Sequence, residues 1–587
     1  GQHELILNAT SLEGKRAAVN FLLFGDANNS PPADAMDFFN STGAWATKET
    51  GLNMVDFWIG GLAERKNEFG GMLGSTFNFV FETQMEMLQD GDRFYYLSRV
   101  QGLNLLNELE ANSFSALVMR NSDLGDEGSS HLPANLFQTP DHIFEVNRVL
   151  QTEIDPKWGN PLKDLLSPLL VRRDPGVDVD GDSFADGGYL KYTGDGHVVL
   201  GGTAGNDTLI GGKGIDSLWG DGGDDRLDGG DEADVVHGGD GDDIITDTGT
   251  PVGDADFLHG DAGHDVIFSG NGNDLVFGGS GSDFVVVGED AQEVFSGQDN
   301  DFALGGSGGD FLMGNEGDDW LEGGDGFDTL AGDNSELFFN STIIGHDVLN
   351  GQGNDTDYDG EAGDDIMVQG AGIQRNNGMA GFDWAIHKGD PNGANSDLGI
   401  PIFVNQQEFI LRDRFDLVEG LSGWKHDDIL IGTEQPIGTA PVQGVPLSNN
   451  LTQEGADRIN GLQAILGVER STNPDAVLLN PDDGSDILLG GGGSDRIMGK
   501  AGNDIIDGDA WLNVRIAVTG MAGLTSAEGM AELKSYMLAG TLKPNQLSIV
   551  REILHEGNGT ETDVAVYRDV SSNYVFTRMA DGRDRKS

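Results

Sequence analysis

Cysteine is absent from all 587 residues, so no disulfide holds this chain together. Its stability has to come from buried apolar surface, hydrogen bonds or bound ions. Basic residues are scarce: Lys and Arg total 34 against 99 Asp and Glu, a formal net charge of −65. That deficit excludes nucleic acid, whose phosphates need a basic face, and disfavours anionic membrane surfaces for the same reason. No apolar run reaches the roughly 18 residues of a transmembrane segment. The opening GQHELILNATSLEGKR lacks the basic-then-apolar layout of a secretory leader. The abrupt ends, Gly1 and RMADGRDRKS, read as those of a piece of something longer.

Glycine and acid are abundant instead, with 91 glycines. Such a composition usually means disorder, because too little apolar surface is buried to offset the entropy of ordering. Here the acid is periodic. From Gly202 the chain reads GTAGNDTLI, GGKGIDSLW, GDGGDDRLD, GGDEADVVH, GGDGDDIIT. After a four-residue slip, Asp247 to Thr250, the phase resumes at Pro251 and runs unbroken to Ala331. The template is Gly-Gly-x-Gly-x-Asp-x-U-x, with U large and apolar, and its period belongs to a calcium-binding parallel β-roll. It resembles the RTX (hemolysin-type) repeats of proteins exported by type I secretion.

Each unit reads as a tight glycine turn followed by a short strand, two units making one coil. The apolar eighth position (Leu209, Leu218, Leu227, Val236, Ile245) points inward, and the sixth-position aspartates line up along the edges. Those are Asp207, Asp216, Asp225, Asp234 and Asp243, then Asp256, Asp265, Asp274, Asp283, Asp301, Asp310, Asp319 and Asp328. The pattern returns at Asp347, Asp355, Asp365 and Asp428, and a second, shorter roll is expected at Asp486, Asp495 and Asp504. Coils about 4.8 Å apart would set like charges against each other. Calcium takes 6–8 oxygens at about 2.3–2.6 Å, which converts that repulsion into coordination; the bland alternative is a solvated acidic face. Gln292 stands where aspartate belongs, so calcium should be weak there. The repeat histidines His237, His259 and His264 occupy permissive positions and read as surface. The G-x-S-x-G match around Ser307 lies in phase with the repeat, which makes its serine a variable-position residue rather than a nucleophile.

Upstream of the repeats the chain changes character. The runs 76–88, 102–109 and 113–120 read as helices, their aromatic residues as core. Within this segment stand GLNMVDFWIGGLAE from Gly51, FGGMLG from Phe69, LQDGDRFYY from Leu88, the stretch Asn112 to Asn121, and HLPANLF from His131. These blocks resemble the last third of an animal-type haem peroxidase, the peroxidase–cyclooxygenase superfamily, as found in bacterial multidomain peroxidases. The resemblance implies that the distal histidine, the catalytic arginine and the haem-ligating histidine lie upstream of these blocks. His3, His131 and His142 stand in none of those motifs, so haem would need upstream sequence or a partner chain. No catalytic residue is assigned.

The expected organisation is multidomain. Residues 1–155 form the end of a helical peroxidase-like domain and 156–200 a proline-broken linker, with a candidate calcium loop from Asp178 to Asp186. Residues 201–386 form β-roll I, and 387–453 an irregular insertion whose segment Phe403 to Leu411 packs across the roll. Residues 454–513 form β-roll II, and 514–587 a mixed helix and strand tail. In the tail, Thr525 should open a helix through Met537 and Pro544 another through Leu554, before paired strands at 563–567 and 573–577. The function expected is that of a secreted, extracellular or surface-associated calcium-binding region of a haem peroxidase, folding on extracellular calcium. Its partners would be calcium ions, the upstream peroxidase portion, or further copies of itself. The competing reading is a structural or adhesive matrix protein whose peroxidase-like segment is non-catalytic.

Overall fold

The computed structural model describes residues 187–567 apart from 195–196, 203–204, 250–252, 334–344, 354, 404–408, 410, 435–448, 482–483 and 557–560. It also describes the strands Ser115–Met119, Leu170–Arg173, Phe576–Arg578 and Asp584–Lys586. The expected helices 76–88 and 102–109, His3, His131 and His142, and the loop 178–186 lie outside the described residues.

The chain divides into two compact units, residues 1–263 with 269–274, and residues 264–268 with 275–587. Each contains a stretch of parallel β-solenoid. In the first unit, His197–Gly201, Ser217–Gly222, Val235–Asp240 and Phe257–Ala262 form one sheet, and Gly188–Tyr192, Asp207–Lys213, Arg226–Asp231 and Ile244–Thr246 the other. The chain passes from one sheet to the other at every glycine turn. Eighth-position residues therefore register two units apart: Leu190 with Leu209, Leu209 with Leu227, and Leu227 with Ile245. All four are buried between the sheets. A fully buried leucine contributes about 1.5–3 kcal/mol, and this file meets the equally buried file of Leu200, Leu218, Val236 and Leu258 from the opposite sheet.

Both sheets begin earlier than the first recognisable repeat. Gly188–Tyr192 lies in the segment expected to be linker, yet it is a full rung. Each sheet is also closed by an antiparallel strand from the preceding chain, Leu170–Arg173 on Gly188–Tyr192 and Ser115–Met119 on His197–Gly201. The second of these corrects the helix expected over 113–120. An open solenoid end exposes unpaired amides and carbonyls, and a strand satisfies them where a helix cannot.

In the second unit one sheet runs from Leu275–Ser280 to Arg414–Asp416 and the other from Val266–Phe268 to Ile505–Asp507. Gly420–Ser422 pairs with both Trp384–Ile386 and Ile487–Leu489, so the repeats near Asp486 and Asp504 continue the sheet that precedes them. A further sheet of Asn395–Asp397, Ile429–Ile431, Arg496–Met498 and Val564–Ala565 takes over where the first ends. Phe403 and Leu411, expected to pack across the roll, are both exposed, and most of the residues between them lie outside the described set. The helix Gln453–Arg458, capped by the Thr452 hydroxyl accepting from the Gly455 amide, opens the stretch expected to be β-roll II.

The tail differs most from expectation. Leu547–His555 is a nine-residue strand paired antiparallel with Ala510–Val518, not a helix opened by Pro544. Of the helix expected from Thr525, only a 3-10 turn, Met530–Glu532, and a short helix, Lys534–Leu538, are present among the described residues. Val564–Ala565 adds in parallel to Arg496–Met498, and Phe576–Arg578 pairs with Asp584–Lys586, while residues 573–575 lie outside the described set.

Candidate metal centres

The sixth-position aspartates sit at the turn edges, and almost all are buried. One oxygen of such an aspartate holds the coil before it. The amide of Asp207 donates to Asp225 Oδ1 at 2.7 Å, that of Asp216 to Asp234 Oδ1 at 2.7 Å, and that of Asp225 to Asp243 Oδ1 at 2.7 Å. The chain of contacts continues in the second unit from Asp265 to Asp283, Asp301, Asp319, Asp347, Asp365 and Asp383. The separation along the sequence is 18 residues, two nonapeptides, wherever no insertion intervenes.

The second oxygen has no such use. Oδ2 of Asp216, Asp225, Asp234, Asp301, Asp319, Asp328, Asp347, Asp365, Asp383 and Asp495 is buried with no hydrogen-bond donor among the described residues. An anionic oxygen in that position costs several kcal/mol unless a cation meets it. The first glycine of each unit explains how an ion fits. A methyl group at Gly211 would overlap Asp216 Oδ2 and the Gly229 carbonyl; at Gly314 it would overlap Asp319 Oδ2 and the Gly332 carbonyl. Carboxylate and carbonyl oxygens thus converge on a space that only glycine leaves open. That donor set, all oxygen, suits calcium. Positions two and four are the true conformational demands, with φ of 118° at Gly230 and 141° at Gly241. Asp221 and Asn315 adopt the same left-handed region at position two, at 73° and 74°.

Burial dominates the electrostatics. It pushes the carboxyls of Asp216 and Asp225 up to about 9, with neighbouring carboxylates adding to the effect, and those of Asp243 and Asp486 to about 8. Asp319, Asp347, Asp365 and Asp383 are held well above the ordinary range, again chiefly by desolvation. Two adjacent anions about 4.8 Å apart repel by on the order of 3 kcal/mol at an effective dielectric near 20. Such sites accept either protons or a divalent cation.

The two edges of the second unit are unequal. Along one, the sixth-position file from Asp265 continues through Asp383 to Glu419, Asp486 and Asp504 without a neutral member. Along the other, Gln292, Thr356 and Gln374 interrupt Asp310, Asp328 and Asp413. Asp355 is thereby corrected: it is exposed at the fifth position, and Thr356, one residue on, stands in the file. Asp428 and Asp495 belong to the third sheet's edge, where the Asp428 amide donates to Asp495 Oδ1 at 2.8 Å. The Asp495 amide in turn donates to Asp563 Oδ1 at 3.0 Å.

Sequence reasoning missed Asp563, Glu419 and Asp247. Residues 558–566 read NGTETDVAV, two glycines short of the template and with the small Ala565 at its apolar position, which hides the rung. Glu419 fills the place after Asp383 and takes its amide at 2.9 Å; a longer acid in an aperiodic stretch leaves no signal.

Of the repeat histidines, His237 is buried and His259 and His264 are half-buried. His237 stacks on Trp219 at 3.9 Å and on His259 at 4.3 Å between centroids, and its Nδ1 lies 3.0 Å from Asp261 Oδ2. They share the ninth position on successive rungs, so the 18-residue period makes a ring ladder. His264 and His346 use Nδ1 to accept the fifth-position amides of Ser282 at 2.9 Å and Asp364 at 2.7 Å. One further constellation has hydrolase-like spacing: His387 Nε2 is 2.8 Å from Ser396 Oγ and its Nδ1 3.4 Å from Asp390 Oδ2. Ser396 is fully buried and registers with Leu430, so it faces the core and offers no route to a substrate.

Among curated proteins no match is found. Residues 201–236, 220–246, 252–285, 295–333 and 481–510 match the RTX calcium-binding nonapeptide repeat (4 copies), and residues 50–137 match the animal haem peroxidase family. The chain therefore joins a segment of animal haem peroxidase type to calcium-binding repeats of RTX type.

Proposed function

We propose that this chain is the calcium-binding region, with the closing peroxidase segment, of a secreted haem peroxidase, and that it folds where calcium is plentiful. The observation that carries the reading is the file of buried sixth-position carboxylates, with one oxygen spent on the coil before and the other facing a glycine-lined space. Outside the cell, calcium modules work at about 10⁻⁴–10⁻³ M. Inside, where the ion is scarce, the same carboxylates keep the repeats from coiling, which suits export of an extended chain.

Haem, in this reading, is held by residues upstream of the matched segment 50–137 or by a partner chain, and no residue of the described repeats takes part in its chemistry. The test of the calcium reading is circular dichroism of the full chain in calcium and in excess chelator. The β signal should collapse in chelator and return with calcium; full signal in chelator overturns the reading. The peroxidase reading is tested on the native protein by its haem absorption band and by peroxide-dependent oxidation of a phenolic dye. Neither signal, together with assembly on adding calcium, would favour the extracellular matrix protein instead.

A further inference from the structure

We propose that the four-residue interruption at 247–250 is a ligand-bearing insert: Asp247 joins Asp234 and Asp256 to make a three-carboxylate site for a hard cation, unlike the two-carboxylate slots of the regular repeat. One carboxylate oxygen from each of the three lies within 4.8 Å of the other two. All three residues are buried, with 1, 5 and 3% of their surface exposed. Asp234 and Asp256 are the regular pair: the Asp234 amide donates to Asp256 Oδ1 at 2.7 Å across 22 residues, the ordinary 18 plus the insert.

Asp247 comes from outside the repeat and is held in place. Its Oδ1 accepts the Gly230 amide at 3.1 Å. Its carbonyl and its Oδ2 both stand 2.9 Å from where a Cβ on Gly270 would lie, and Gly270 has φ of 77°. A side chain at 270 would displace the insert, so glycine there is matched to Asp247. Oδ2 of Asp234, the oxygen not used by the Asp216 amide, is buried with no donor among the described residues. No lysine or arginine among the described residues pairs with any of the three. A spacer that merely lengthened the turn would have no reason to bury a carboxylate beside two others.

Ligand charge count tunes calcium affinity over decades, and an all-oxygen site of high negative charge favours calcium or a trivalent lanthanide over nitrogen- and sulfur-seeking metals. The site is therefore the tightest of the roll and the first to fill. The inference rests on the calcium reading of the roll, and its test separates the two.

The full chain is titrated with calcium by calorimetry, and the calcium-loaded chain with terbium by luminescence. Wild type should show one class of site tighter than the rest, which terbium takes first. Asp247→Asn should weaken that class tenfold or more while leaving the remaining sites and the calcium-saturated β signal unchanged. Asp254→Asn, which removes an equal charge from an exposed position nearby, should leave the tight class intact. Should Asp247→Asn fail to fold in saturating calcium, Asp247→Glu keeps the carboxylate and should retain the tight class; its loss there overturns the inference. Matching isotherms for wild type and Asp247→Asn, both folded in calcium, reduce the insert to a spacer while the roll reading stands. Absence of calcium binding in wild type overturns both.

Discussion

At the scale of single residues the roll is governed by carboxylates that the fold buries before it supplies a counter-charge. Burial raises Asp216 and Asp225 from an ordinary value of 3.8 to about 9, so between those values the calcium-free folded state binds more protons than the unfolded chain. Stability without calcium must then fall as pH rises through that window. With calcium saturating, the sites have to be deprotonated to bind, so the slope reverses. Melting temperature measured from pH 4.5 to 8.5, in chelator and in excess calcium, should give slopes of opposite sign; parallel curves would refute the account. The glycines offer a second residue-level test. Gly314→Ala places a methyl on Asp319 Oδ2 and the Gly332 carbonyl, so it should cost about 1–3 kcal/mol and one bound calcium. Gly205, a fourth-position glycine that lies outside the left-handed region, meets no atom within 4 Å as alanine, so Gly205→Ala should change stability by less than about 0.5 kcal/mol in the same denaturant titration.

At the scale of elements, the tail hairpin of the second unit is anchored by charge rather than by apolar area alone. Glu322, fully buried in the roll, accepts from Trp320 Nε1 at 2.7 Å, Gln352 Nε2 at 2.6 Å and the Met530 amide at 3.0 Å. From the other side Arg551 reaches the carbonyl of His346 and stands 3.7 Å from Asp318, while Lys388 meets the Val514 carbonyl and Glu528. Glu322→Ala leaves the buried Trp320 Nε1 and Met530 amide donors unpaired, each worth about 1–3 kcal/mol, while the exposed Gln352 can turn to water. Limited proteolysis in calcium should then cut first within 519–546, with the repeats still protected. Equal protection of that segment in wild type and variant would show that the hairpin docks by other means. These elements were the hardest to read from sequence. Leu547, Ile549, Arg551 and Ile553 alternate at the strand period, but Pro544 and the capping box at Thr525 are equally good helix openers. Only the long-range partner strand Ala510–Val518 decides between them. The coils themselves needed no such partner. Glycine turn, aspartate and apolar knob recur within nine residues, so their fold, their core positions and the sixth-position file were legible from one unit. Where the period breaks, so does legibility: Asp247, Glu419 and Asp563 reach the same edges from aperiodic stretches, and Asp355 was misread by one place across an insertion.

At the scale of the whole molecule, the net charge of −65 raises the question of what calcium does that any cation could not. General self-repulsion would expand the chain, and simple salt relieves it, since the screening length falls from about 10 Å at 0.1 M to about 3 Å at 1 M. The carboxylates that matter are not of that kind. They lie in files about one strand spacing apart, roughly 4.8 Å, and their outer oxygens are buried where no mobile ion atmosphere reaches. Sodium has one charge and cannot join the carboxylates of two coils with the strength of a divalent ion. A chain in chelator should therefore contract as sodium chloride is raised to 1 M without gaining the β signal, whereas millimolar calcium at low salt should produce both. Hydrodynamic radius and circular dichroism read on the same samples check this. If salt alone restores the β signal, charge screening rather than coordination folds the roll, and the sixth-position aspartates are a solvated acidic face after all.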